Sequence, residues 1–259
     1  MKKRILGAAI VLIILIGSLL LGGEVFTITM TIAALFGLKE LIDIKYKNNN
    51  IVFIKLISYF LLGLFLLNNT FFAIDRLTIF ILITLSLIIP IVFYNNKEKY
   101  NINDAFYFIG IVSFLAFAFG TIIDMREISI FKCIYIFIIS FITDTYAYIG
   151  GTLIGRTHFT SISPKKTIEG SIVGTIMGVF VGSVFYFALI KDLNIISIVV
   201  LSFVLTVLSE IGDLVFSSIK RSFGKKDYSN LIPGHGGILD RFDSVIFVSL
   251  GMALMINII

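Results

Sequence analysis

The first residues in this chain that could do chemistry are carboxylates set in otherwise apolar stretches. Asp144 lies in Phe141-Ile-Thr-Asp-Thr-Tyr146, Glu210 and Asp213 in Leu208-Ser-Glu-Ile-Gly-Asp213, and Asp240 and Asp243 flank Arg241-Phe242. A charged side chain at membrane depth costs about 2.5–3.5 kcal/mol on the insertion scale, so it faces a polar interior or a partner. Glu210 and Asp213 are three residues apart, as are Asp240 and Asp243, and in a helix each pair shares a face. Two such faces meeting would build an oxygen-rich pocket suited to a hard cation such as Mg2+. The alternative use of these acids is salt bridging, for instance Asp240 or Asp243 with Arg241 or Lys220.

Two cationic segments accompany the acids. Ser163-Pro-Lys-Lys-Thr-Ile-Glu-Gly170 sets two lysines and two hydroxyls just ahead of a helical stretch, where backbone N–H groups and cations attract anions. It is not a P-loop, and no strand precedes it. Pro164 and Glu169 could equally start and cap the helix, with the lysines serving topology. The second segment runs from Ser217 to Asp243. In it Lys220, Arg221, Lys225 and Lys226 precede Pro-Gly-His235-Gly-Gly, and two aspartates follow. Gly234, Gly236 and Gly237 let backbone approach a ligand closely or adopt positive φ. His235 taken alone reads as a hydrogen-bonding loop residue, and His158 as polar loop.

These residues must be held by membrane helices. The 259 residues are 58% hydrophobic and 14% charged, with a mean hydropathy of +1.04, against roughly 45–50% and about 25% in soluble domains. The excess is organised as long runs, which predicts an all-α, polytopic membrane bundle of about nine spans, near 5–22, 25–42, 51–67, 77–94, 105–123, 130–150, 171–190, 195–216 and 242–259. The first run follows Lys2-Lys3-Arg4 but lacks a clear cleavage site, so it reads as a retained helix. With the N-terminus in the cytoplasm, sixteen lysines and arginines fall in inner connections and three (Arg76, Arg126, Lys191) in outer ones, which puts the C-terminus outside. The net charge of +5 is thus mostly topogenic, and nothing favours a nucleic-acid partner. Cys133 is the single cysteine, which excludes an intrachain disulfide and suits a structural role.

The two halves differ. Residues 1–129 read as scaffold helices with short connections, and residues 130–259 as the catalytic region, with long inner loops at 151–170 and 217–241. Gly170, Gly174, Gly178 and Gly182 recur every fourth residue, lining one face of the seventh span for close helix packing. No internal repeat suggests an inverted-repeat transporter.

From Ser217 to Asp243 the chain resembles the phosphatidate cytidylyltransferase (CDP-diacylglycerol synthase) family. The signature opens Ser-x-hydrophobic-Lys-Arg (Ser217 to Arg221), continues with Lys226-Asp227 and closes Pro-x-His-Gly-Gly-hydrophobic-x-Asp-Arg-x-Asp (Pro233 to Asp243). A second element matches Ser163 to Gly170, and an Asp-Thr-x-Ala-Tyr element matches Asp144 to Tyr148. Ile168 stands where members often carry Trp. The resemblance implies that CTP and phosphatidic acid give CDP-diacylglycerol and pyrophosphate at the cytoplasmic side of the inner membrane, for phospholipid biosynthesis. It implies metal binding by Asp213, Asp240 and Asp243, with Asp144 as a further ligand, for Mg2+ and room for a second cation. It implies phosphate contacts for Lys165, Lys166, Lys220, Arg221 and Lys226, and nucleotide contacts for Ser163, Thr167, His235, Gly236 and Gly237. A homodimer is the family expectation.

Two other functions compete with this reading. A CTP-using lipid kinase such as dolichol kinase shares part of the motifs but would yield lipid phosphate and CDP. A transporter would need polar residues along a path to both faces, whereas the polar loops here crowd one side.

Overall fold

The computed structural model describes residues 2–46, 51–94, 100–160, 163–232, 234, 236–256 and 258, with side chains of the first helix described from Val11 onward. The described residues are helical: α1 Lys2–Leu21, α2 Gly23–Lys45, α3 Val52–Phe71, α4 Arg76–Ile88, α5 Pro90–Phe93, α6 Ile102–Ile128, α7 Ile130–Ile154, α8 Ile168–Leu189, α9 Ile195–Ser222 and α10 Leu239–Met255. Among them no strand forms, only the isolated bridges His158 to Thr167 and Ile232 to Gly236.

Seven helices are long and apolar enough to cross a membrane: α2, α3, α4 with α5 as one span, α6, α7, α8 and α9. The other two of the nine expected spans correspond to α1, whose apolar described stretch is Val11–Leu21, and to α10, which has 17 residues. The fourth span is broken at Pro90, which lacks an N–H to continue the ladder. Helix ends also shift the two long connections. α7 continues to Ile154 and α9 to Ser222, so the connections shorten to residues 155–167 and 223–238. Lys220 and Arg221, which read as loop, form the last turn of α9, where cations meet the negative end of the helix dipole.

The chain forms two compact units, Met1–Ile123 with Tyr228–Ile238, and Asp124–Asp227 with Leu239–Ile259. In the first unit α2 buries Met30, Ala34, Leu38 and Leu41 along one stripe, while Phe53, Phe60, Leu77 and Val92 are exposed, as expected where lipid is the solvent. Asn68 closes the α3–α4 turn by exchanging hydrogen bonds with the backbone of Ile74, and Asp75 caps α4 through the Thr78 N–H. Past the end of α2, Tyr46 donates to Asp104, which also pairs with Lys45 at 3.2 Å. Burial and that carboxylate push the Tyr46 phenol well above its ordinary range.

In the second unit α7 and α8 pack antiparallel along the glycine stripe. A Cβ on Gly170 or Gly174 would strike the carbonyl of Ala147 or Thr143, one on Gly178 the Thr143 hydroxyl, and one on Gly182 the Ile139 side chain. The stripe therefore meets α7 turn by turn, as its spacing predicts. At the far end Tyr135 and Tyr186 meet edge to face at 5.0 Å, and Tyr135 shares a 2.8 Å hydrogen bond with Ser202 of α9. Asp192, in the α8–α9 connection, accepts from Tyr186 and pairs with Lys132 at 2.6 Å. Burial raises its carboxyl, but these bonds outweigh it and hold the group below its usual value. Cys133 is free and buried. α10 approaches α9 at Gly212, where a Cβ would lie 2.9 Å from the carbonyl of Asp243.

Candidate active site

Five acids of the second unit come from three of its helices. Asp144 comes from α7, Glu210 and Asp213 from α9, and Asp240 and Asp243 from the first turns of α10. The bare backbone of Gly212 brings α10 against α9 beside Asp213, and Asp243 is on the facing turn. Asp144 lies within electrostatic reach of Asp213, Glu210 and Lys166. Asp243 lies within reach of Asp213, Asp144 and Lys220, and it accepts its neighbour Ser244 N–H at 3.0 Å.

Two lysines thread this cluster. Lys166 Nζ is 2.7 Å from Asp213 Oδ2, and Ser217 donates to the other oxygen of that carboxylate at 3.3 Å. Lys220 Nζ is 2.8 Å from Asp240 Oδ1. The second pair is the more deeply set, with side-chain exposures of 11% and 4% against 20% and 30% for the first. In that medium an ion pair is strong once formed, and leaving one partner alone is costly. Thr175 donates to Glu210 at 3.4 Å. Two of the five carboxylates, those of Asp213 and Asp240, are thus paired with lysines among the described residues.

The 155–167 connection is built to hold Lys166. Thr167 caps α8, accepting from the Gly170 N–H at 3.2 Å. Glu169 reaches back to the N–H groups of Arg156 and Thr157 at 3.1 and 3.2 Å, which fastens the loop to the helix start. Phe159 N–H to Lys166 O, at 2.9 Å, and Ile168 N–H to Thr157 O, at 3.0 Å, complete a small hairpin. Lys166 points inward from it and Lys165 is exposed. Ser163 is half-buried, and its carbonyl accepts the Lys166 N–H. The helix start is therefore capped by Thr167 rather than by Pro164 or Glu169, with Glu169 fastening the loop and Lys166 paired with Asp213.

The expected site residues divide accordingly. Asp144, Lys166, Asp213, Lys220, Asp240 and Asp243 are brought together. Arg221 is exposed, its guanidinium donating to the Lys225 carbonyl at 3.3 Å, and Lys226 is exposed. Gly236 and Gly237 are buried in the Tyr228–Ile238 segment of the first unit. His235 lies outside the described residues, as does Pro233. The sequence reading passed over Glu40 of α2, which is 4% exposed and accepts from Ser229 Oγ at 2.6 Å and Ile238 N–H at 2.9 Å. The one available signal was a carboxylate inside an apolar helix.

An all-carboxylate donor set is the chemistry that a hard dication prefers. Among the described residues no three acidic, imidazole or thiol groups stand close enough to hold one metal ion, two of the carboxylates being bridged to lysines. The donor types fit such an ion, and the lysine pairs mark where the carboxylates would have to change partners.

Comparison with known proteins adds an independent line. The family model described as the cytidylyltransferase family matches residues 2–259. The phosphatidate cytidylyltransferase of Staphylococcus haemolyticus is 36% identical over 256 residues, covering 96% of each chain. Those of Staphylococcus aureus and Staphylococcus epidermidis are each 34% identical, over 255 and 253 residues, again covering 96% of each chain.

Proposed function

The chain belongs to the cytidylyltransferase family, and from that premise we propose that it transfers the cytidylyl group of CTP to phosphatidic acid, releasing pyrophosphate and forming CDP-diacylglycerol. The observation that carries this reading is the Lys166–Asp213 and Lys220–Asp240 pairing within one acidic cluster of a membrane unit. Cations already positioned among carboxylates suit a reaction in which one phosphate must approach another. A phosphate oxygen of the lipid forms a bond to the α-phosphorus of CTP, and the bond to the pyrophosphate oxygen breaks in line. No protein nucleophile is needed, so the protein contributes positioning and charge neutralisation.

Lys166 and Lys220 hold substrate phosphates, exchanging their aspartates for phosphate oxygens as substrate arrives. Lys165, Arg221 and Lys226, all exposed, collect the anionic substrates, and Ser163, Thr167, His235, Gly236 and Gly237 contact the nucleotide. Asp144, Asp213, Asp240 and Asp243 would hold Mg2+, with donors enough for a second cation. Bound there, the metal would offset charge on the triphosphate. The distribution of lysine and arginine supports a cytoplasmic-side active site in the inner membrane. The working unit is a homodimer, a reading supported by the family resemblance.

The test is an assay of purified, detergent-solubilised protein with labelled CTP, phosphatidic acid and Mg2+, scoring both products. CDP-diacylglycerol with pyrophosphate, lost on exhaustive chelation, is the expected result. Lipid phosphate with CDP from a lipid alcohol would make the protein a kinase. Turnover that survives chelation would remove the metal.

A further inference from the structure

We propose that Glu40, in the helix that reads from sequence as scaffold, is the positioning residue for the glycine loop Tyr228–Ile238. The proposal rests on the reading above for what that loop binds. Its geometry stands independently, because Glu40 and the loop lie within the same compact unit.

Within the loop Ser229 Oγ accepts the Leu231 N–H at 3.2 Å. Between Tyr228 and Ile238 the backbone makes one cross-loop bond, Ile232 N–H to Gly236 O at 2.9 Å, among the described residues. Gly234 and Gly236 have φ of 78° and 82°, a region that side chains disfavour. Tyr228 and Ile232, 3% and 5% exposed, anchor its apolar side.

Glu40 supplies the polar anchor. One oxygen, Oε1, accepts both the Ser229 hydroxyl near the entry to the loop and the Ile238 N–H at its exit. A single buried carboxylate thus ties two points nine positions apart in the chain. Hydrogen bonds to a charged acceptor are about twice as strong as neutral ones, and they are strengthened where water is excluded. Gly237 completes the fit, since a Cβ there would collide with both Glu40 carboxylate oxygens. A side chain at this position would therefore displace the Glu40 carboxylate from where it sits.

Glu40→Ala removes both acceptors, Glu40→Gln retains one carbonyl oxygen without the charge, and Ser229→Ala removes only the entry tie. The experiment measures steady-state kinetics against CTP and phosphatidic acid separately, together with amide hydrogen exchange over residues 229–239 in substrate-free protein. We expect Glu40→Ala to speed exchange at residues 236–238 and to raise KM for CTP about tenfold or more, with KM for phosphatidic acid within about twofold. Glu40→Gln should recover much of both, and Ser229→Ala should fall between Gln and wild type. Should Glu40→Ala misfold, Glu40→Gln and Ser229→Ala carry the comparison. Unchanged exchange, or equal changes in both KM values, would overturn the proposal. A wild-type protein that makes no CDP-diacylglycerol but loses loop protection in Glu40→Ala would sink the functional reading and leave the anchor standing.

Discussion

Asp240 and Lys220 form the most deeply set ion pair of the acidic cluster, and they allow pairing to be separated from catalysis. Asp240→Asn should cut CDP-lipid formation by about 10²–10³, comparable to removing one preorganised electrostatic partner. It should also lower thermal stability, because Lys220 then keeps a charge with its carboxylate gone. Adding Lys220→Met should restore the unfolding temperature in detergent and leave turnover low. Near-normal CDP-lipid formation by Asp240→Asn alone would reduce Asp240 to a structural counterion. At this scale the sequence was readable at several residues whose type was out of place in its surroundings, though not at all of them. Asp144, Asp213 and Asp243 stood out against apolar neighbours, and the Lys220–Asp240 pair was one of the alternatives their spacing allowed. The Lys166–Asp213 pair was not legible, because its members are 47 positions apart in the chain. Glu40 was passed over because its partners are 189 and 198 residues away.

At the scale of elements, the glycine stripe of α8 divides tolerant from intolerant positions. Gly174→Ala places a methyl group against the Thr143 carbonyl and the Ala147 backbone, which cannot rotate aside as a side chain can. A loss of about 1–3 kcal/mol is expected from overpacking, read as a lower midpoint of thermal unfolding in detergent. Gly110→Ala in α6 has open space around its new methyl and should be neutral, or stabilising by up to about 1 kcal/mol through helix propensity. Equal effects at the two sites would mean that the stripe is not a packing surface. Helix existence and the stripe were legible because hydrophobic runs and a four-residue glycine period are local signals. Helix ends were less so. Lys220 and Arg221 look like loop by polarity, yet they complete α9, because a helix end accommodates cations that its middle would reject. The hairpin at 155–167 hangs on Glu169 reaching back to Arg156 and Thr157, a closure that no periodicity announces.

For the whole molecule, orientation is the property that charge alone predicts. Cys133 is the sole cysteine and is buried, so Lys226→Cys introduces one accessible thiol in the 223–238 connection. A membrane-impermeant maleimide should label it in inverted vesicles and not in intact cells; labelling from the outside would reverse the assigned topology. The division of labour was only partly legible. Residues 1–129 read as scaffold, whereas the compact unit they largely compose also takes in Tyr228–Ile238. That feature has a consequence for how the chain is made. Glu40 leaves the ribosome 189 residues before Ser229, a delay of roughly ten to forty seconds at ordinary rates of synthesis. Through that interval the first unit is in the bilayer without its last segment, and the carboxylate must wait in water or among other donors. The unit can be completed only when synthesis is almost over, so a chain truncated before residue 228 would carry most of its helices and still lack the segment that completes the first unit.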